Sequence, residues 1–122
     1  TTTTTTTPSH RQRRQTPTYP LTIVLDNVRS AFNVGSIFRS ADACNAREVI
    51  TTGITPRPFG SGHDKLAKSG LGAEGLVSSR HFDDVRSVVT TLREEYGEDG
   101  VMLVGMETTE RSRCFWDVEY KF

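Results

Sequence analysis

Leu25-Asp26-Asn27-Val28-Arg29-Ser30-Ala31-Phe32-Asn33-Val34-Gly35-Ser36-Ile37-Phe38-Arg39-Ser40-Ala41-Asp42-Ala43 joins the two kinds of pattern from which the architecture follows. It runs from the end of an apolar segment, through a polar turn, into a helical pattern. Upstream, Leu21-Thr22-Ile23-Val24-Leu25 follows Pro20 as a near-continuous apolar run, as expected of a strand covered on both faces. Downstream, Val34, Ile37, Phe38 and Ala41 fall at i, i+3, i+4 and i+7, with Cys44 extending the stripe as a small core residue. This predicts an amphipathic helix starting near Asn33, whose side chain is placed to serve as the N-cap. A second strand follows over Glu48-Val49-Ile50-Thr51-Thr52. Strand, helix, strand in that order implies an α/β fold with a parallel sheet.

The pattern continues outward. Residues 54–62 hold Pro56, Pro58, Gly60 and Gly62 directly after Gly53, so a long irregular loop is expected. After it come a short helical candidate at 64–69 and a brief third strand at 76–79. A helix capped by Asp83 or Asp84 follows, with Val85, Val88, Val89, Leu92 and Tyr96 at helical spacing and Gly97 at its end. Val101-Met102-Leu103-Val104 reads as a fourth strand. Right-handed crossovers would set the strands side by side, with the ligand crevice at the loops after their C-terminal ends. Those loops are residues 27–33 and 53–65, which place Arg29, Asn33, Arg39, Arg57 and Lys65 on or near one rim.

Length and composition bound the rest. At 122 residues with 34% hydrophobic content, the chain suits one modest domain. Residues 1–18 open with seven threonines, carry Arg11, Arg13 and Arg14, and show no apolar face, so a disordered tail is expected before a domain at 19–122. No apolar run approaches the ~20 residues of a membrane span. Cys44 and Cys114 have no partner at metal-ligand spacing, so neither a zinc site nor a disulfide framework is signalled, and the default setting is intracellular, cytoplasmic or organellar. The zero net charge conceals an asymmetry: residues 1–82 hold ten Lys/Arg against five Asp/Glu, and residues 83–122 hold five against ten. A polyanion such as RNA would meet the front half, because Lys and Arg neutralising phosphates supply most non-specific affinity.

On a helix, Gly35, Arg39 and Asp42 share one stripe opposite the apolar one. Arg39 is therefore expected to point away from the core, where its guanidinium could fork onto a phosphate or polarise a ribose hydroxyl. The plainer alternative is a surface pair with Asp42, worth ~0.2–0.5 kcal/mol. Arg29 suits a phosphate contact or a solvated loop. Gly70-Leu71-Gly72-Ala73-Glu74-Gly75 satisfies G-x-G-x-x-G but follows no convincing strand, so dinucleotide binding is not inferred from it. His10, His63 and His81 stand singly and read as solvent-facing, Glu107 and Glu110 as a solvated turn, and Phe115 and Trp116 as packing residues, with stacking on a base the other reading.

The segment from Leu25 to Val49 resembles the first signature of the SpoU/TrmH class of RNA ribose methyltransferases, in which an Asn, a Gly and an Arg spaced like Asn33, Gly35 and Arg39 precede a Ser/Thr-Ala-Asp-Ala run. Thr52-Gly53-Ile54-Thr55-Pro56 and Lys68-Ser69-Gly70-Leu71-Gly72-Ala73-Glu74 look like later landmarks, extending the likeness over roughly residues 21–120. The resemblance implies a Rossmann-like parallel sheet with flanking helices, the N-terminal part of an α/β-knot methyltransferase fold. It implies S-adenosyl-L-methionine as methyl donor, RNA (tRNA or rRNA) as substrate and a homodimer as the intact enzyme. Arg39 and Asn33 become the expected catalytic residues, with Arg29, Arg57, Lys65 and Lys68 on RNA.

Members of the class bind the cofactor through a second and a third signature segment, which close the C-terminal knot. Those are expected beyond Phe122, so the chain reads as a fragment with no cofactor-binding residues of its own. Two alternatives stand beside this: a non-catalytic RNA-binding α/β module using the same rim, and a nucleotide-binding α/β domain resting on the glycine-rich loops.

Overall fold

The computed structural model describes residues 18–58, 66 and 70–121. The leader expected to be disordered, the loop from Phe59 to Lys65, and most of the helical candidate at 64–69, including Lys68, lie outside the described residues.

Three parallel strands form one sheet in the order β1 (Tyr19–Asp26), β2 (Ala46–Thr52), β3 (Ser79–Phe82). Helix α1 (Ala31–Ala43) joins β1 to β2, and α2 (Val85–Tyr96) follows β3. The α/β class with a parallel, Rossmann-like sheet is thus as expected. No helix among the described residues is long and apolar enough to cross a membrane.

The central strand explains the layering. Adjacent side chains of a strand point to opposite faces. Val49 accordingly joins Leu25, Val34, Phe38 and Ala41 beneath α1, while Ile50 joins Val88 and Leu92 beneath α2. Phe38 and Ile50 are fully buried, each stabilising the fold by about 2–3 kcal/mol through apolar burial. Sheet register follows, with Ile23 opposite Val49, Val24 opposite Ile50 and Thr51 opposite His81.

Several expectations need correction. Helix α1 begins at Ala31, because Ser30, in extended backbone, accepts the Asn33 N–H on its Oγ at 3.1 Å and is the N-cap. Asn33 lies inside the first turn, its side chain released from capping. Cys44 is exposed: the helix ends at Ala43, and Cys44 sits at the C-cap, off the apolar stripe.

The third strand comes three residues later than expected. Leu76 and Val77 donate their N–H groups to the Ala73 carbonyl, closing the short turn Ala73–Gly75, so neither N–H is free for a ladder; the first bond to β2 runs from Val49 N–H to the Ser78 carbonyl. Residues 101–104 pair with no strand among the described residues. Val101 packs on the α2 cluster, but Met102, Leu103 and Val104 are exposed, since an apolar run becomes a strand only where a sheet edge takes up its backbone groups.

The second helix matches its reading. Asp84 caps it by accepting the Ser87 N–H at 2.8 Å, which holds the Asp84 carboxyl below its usual range, and Gly97 at φ +87° turns the chain out at its end. Residues Glu107 and Glu110 are exposed in a turn. Phe115 and Trp116 are also exposed, meeting edge to face with centroids 4.8 Å apart, not packed into the core.

Candidate functional site

The C-terminal ends of β1 and β2 leave the sheet side by side, with Asp26 opposite Thr52. Both chains turn at once through left-handed backbone, Asn27 at φ +53° and Gly53 at φ +59°. Asn tolerates that region because its short side chain bonds locally, and Gly because it has no Cβ. Here the two positions are matched. Ile54 N–H donates to Asn27 Oδ1 at 3.1 Å, and a Cβ on Gly53 would land on that same oxygen.

Two buried threonines complete the junction. Thr55 Oγ1 accepts the Val28 N–H at 3.0 Å and donates to the Leu25 carbonyl at 3.0 Å. Thr52 Oγ1 donates to Asp26 Oδ1 at 2.8 Å, and Asn27 Nδ2 donates to the same carboxylate oxygen at 3.2 Å. A hydroxyl out of water needs such partners, and each of these has them.

Beyond this junction the chain presents its cations. Arg29 is exposed in the turn before Ser30, and Arg39 is exposed on the third turn of α1 and pairs with no carboxylate among the described residues, so the surface pair with Asp42 is not formed. Gly35, placed with Arg39 on a solvent-facing stripe, is instead buried. Arg57 is half-buried beyond β2, close enough to His81 to disfavour its protonated form. Lys65 and Lys68 lie outside the described residues.

The earlier helix start exposes a residue that periodicity from Asn33 passed over. Phe32, 69% exposed, is the second residue of α1, at i−7 from Arg39 and therefore on the same stripe. Asn33 is exposed beside it. The signal was present in Ser30, a cap residue directly before Ala31-Phe32. His81 likewise departs from expectation: it is half-buried, with Nδ1 2.7 Å from Thr51 Oγ1, and burial first, then Arg57, lowers its pKa.

Comparisons with known proteins bear directly on this arrangement. The model of the SpoU rRNA Methylase family matches residues 20–121. The chain belongs to the SpoU rRNA Methylase family. No curated protein sequence matches it significantly. Among solved structures, the chain is similar to the SpoU methyltransferase AviRb from Streptomyces viridochromogenes, a crystal structure in complex with the cofactor AdoMet, with a TM-score of 0.56 and 24% identity. That likeness shows the fold. It covers 72% of this chain and 32% of AviRb, so the chain spans about a third of that neighbour's length.

Proposed function

We propose that this SpoU-family chain serves an S-adenosylmethionine-dependent RNA 2′-O-ribose methyltransferase acting on tRNA or rRNA, and that its share of the site is the RNA-facing one. The observation that carries the reading is Arg39, exposed on α1 opposite the buried Val34, Phe38 and Ala41 and free of any carboxylate among the described residues. An arginine held for structure would be expected to find a carboxylate, as Arg80 does.

The chemistry follows from residue types. The donor supplies an electrophilic methyl group on a sulfonium. Arg39 is a fixed cation whose fork suits a phosphate or the oxygen of the attacking hydroxyl, stabilising negative charge as it develops there. A guanidinium carries five N–H donors and no acceptor, so its work is electrostatic. Asn33 offers both a donor and an acceptor for a ribose. Arg29 and Arg57 suit neighbouring phosphates, with Lys65 and Lys68 extending the cationic set. Phe32 offers an aromatic face to an unstacked base, the usual means by which single-stranded RNA is held.

The rim itself offers no enclosure for an adenosine: its described cations are exposed or half-buried, whereas a cofactor site buries most of its ligand. The donor is accordingly assigned to segments other than this rim, and the intact enzyme is read as a homodimer.

Transfer of labelled methyl from S-adenosylmethionine into total tRNA and rRNA by the intact enzyme, with nucleoside analysis, is the test. A 2′-O-methylnucleoside made by the parent and lost in Arg39→Ala supports the proposal. A base-methylated product overturns it, and RNA binding without any transfer would support a non-catalytic binding module.

A further inference from the structure

We infer that Asn27 is a positioning residue, locking the turn that carries Arg29 against the exit of β2 so that the cationic rim reaches RNA in one fixed conformation. The inference rests on the RNA-binding reading of that rim.

Neither Arg29 nor Arg39 is held by a carboxylate among the described residues, so the aim of each is set by the backbone beneath it. For Arg39 that backbone is a helix. For Arg29 it is a four-residue connection, residues 27–30, between the end of β1 and the first turn of α1. Such a connection is normally mobile.

Here it is fixed from both sides. Asn27 reaches across to take the Ile54 N–H, and Thr55 reaches back to take the Val28 N–H while bonding the Leu25 carbonyl. Ser30 then caps α1 through the Asn33 N–H. Arg29 thus sits between two anchored neighbours, with no anchoring of its own side chain.

The lock is specific to this pair of residues. Asn27 and Gly53 share the left-handed backbone region, and only a residue without a Cβ leaves room for the Asn27 oxygen. Asp26 finishes the arrangement by accepting from Asn27 Nδ2 and Thr52 Oγ1, which orients the carboxamide with its oxygen toward Ile54. An Asp at position 27 would keep the acceptor but replace that donor by a second negative charge beside Asp26.

Asn27→Gly is the informative variant, since glycine keeps the left-handed backbone and removes only the carboxamide. The probe is a fluorescein-labelled RNA hairpin, sufficient because phosphate contacts read no sequence. Binding is measured for the parent, Asn27→Gly, Arg29→Ala and the double variant, with amide hydrogen exchange on the same proteins.

Asn27→Gly is expected to weaken binding about five- to tenfold, and to add nothing in the presence of Arg29→Ala. Exchange is expected to quicken at Val28, whose N–H is held by Thr55, as well as at Ile54. Additive effects on binding, or quickened exchange confined to Ile54, would overturn the inference. If the parent and Arg29→Ala bind the hairpin equally, the RNA reading of Arg29 fails. The exchange pattern then decides alone whether Asn27 fixes the turn.

Discussion

Arg80 forks across two strands onto Glu48, with Nη2 2.6 Å from Oε1 and Nε 3.0 Å from Oε2. Glu48 is buried on the face of β2 beneath α2, and the same guanidinium reaches Glu95 of α2 at 2.9 and 3.0 Å while lying 5.6 Å over the Phe82 ring. The bonds to Glu48 and Glu95 hold Arg80 in its charged form even more firmly than usual. One side chain thereby ties β2, β3 and α2 together at the sheet's most polar point.

Removing Arg80 should therefore cost far more than a surface ion pair. Exposed pairs contribute ~0–1 kcal/mol, and breaking a fully buried one costs ~3–5 kcal/mol. This pair is partly screened, so Arg80→Ala is expected to lose about 2 kcal/mol in urea unfolding. The double variant Arg80→Met, Glu48→Leu should recover most of it, because no charge is then left stranded. A double variant as unstable as Arg80→Ala would show that the loss comes from packing and not from the orphaned Glu48 carboxylate.

Helix α1 distinguishes its cap from its neighbour. Ser30→Ala should destabilise the chain by ~1 kcal/mol, the usual worth of a cap, while Asn33→Ala should leave thermal stability nearly unchanged and reduce RNA methyl transfer. Comparable melting shifts in both variants would return the capping role to Asn33.

Phe32 and Arg39 share a face but should fail differently. Phe32→Leu, which keeps apolar bulk and loses the ring, is expected to raise KM for RNA severalfold with kcat little changed. Arg39→Lys, which keeps charge and loses the fork, should lower kcat by about 10²-fold with the fold intact, a loss comparable to that of one preorganised transition-state donor. A Phe32→Leu variant with unaltered KM would leave the ring as an ordinary exposed apolar residue.

His81 gives a pH signature. Its folded pKa lies below the unfolded value near 6.5, chiefly through burial and then through Arg57, with Asp83 opposing. Below pH 6.5 the unfolded chain therefore takes up a proton that the folded one resists. Stability present above that pH should be lost as pH falls toward the folded pKa. Urea titrations at pH 7.5 and 5.5 should show a smaller loss for His81→Gln than for the parent. An equal loss in both would place the sensitivity elsewhere.

The parts of this fold governed by local rules are legible along the chain. The apolar run at residues 21–25, the stripe Val34, Ile37, Phe38 and Ala41, and the cap and stop at Asp84 and Gly97 each state their element, because side-chain periodicity and capping act within a few residues. The signature around Arg39 likewise named the family before any geometry was known. Pairings between distant segments follow from the fold instead. Residues 101–104 are as apolar as β2 yet pair with no strand among the described residues, while Ser79–Phe82 is polar and forms one, since ladder bonds depend on which edge is available and which N–H groups a turn has already used. The bonds of Asn27 with Ile54 and Thr55 with Val28 span 27 residues each, and no spacing in the chain announces them. They exist because two adjacent parallel strands end together and bring their exits within reach.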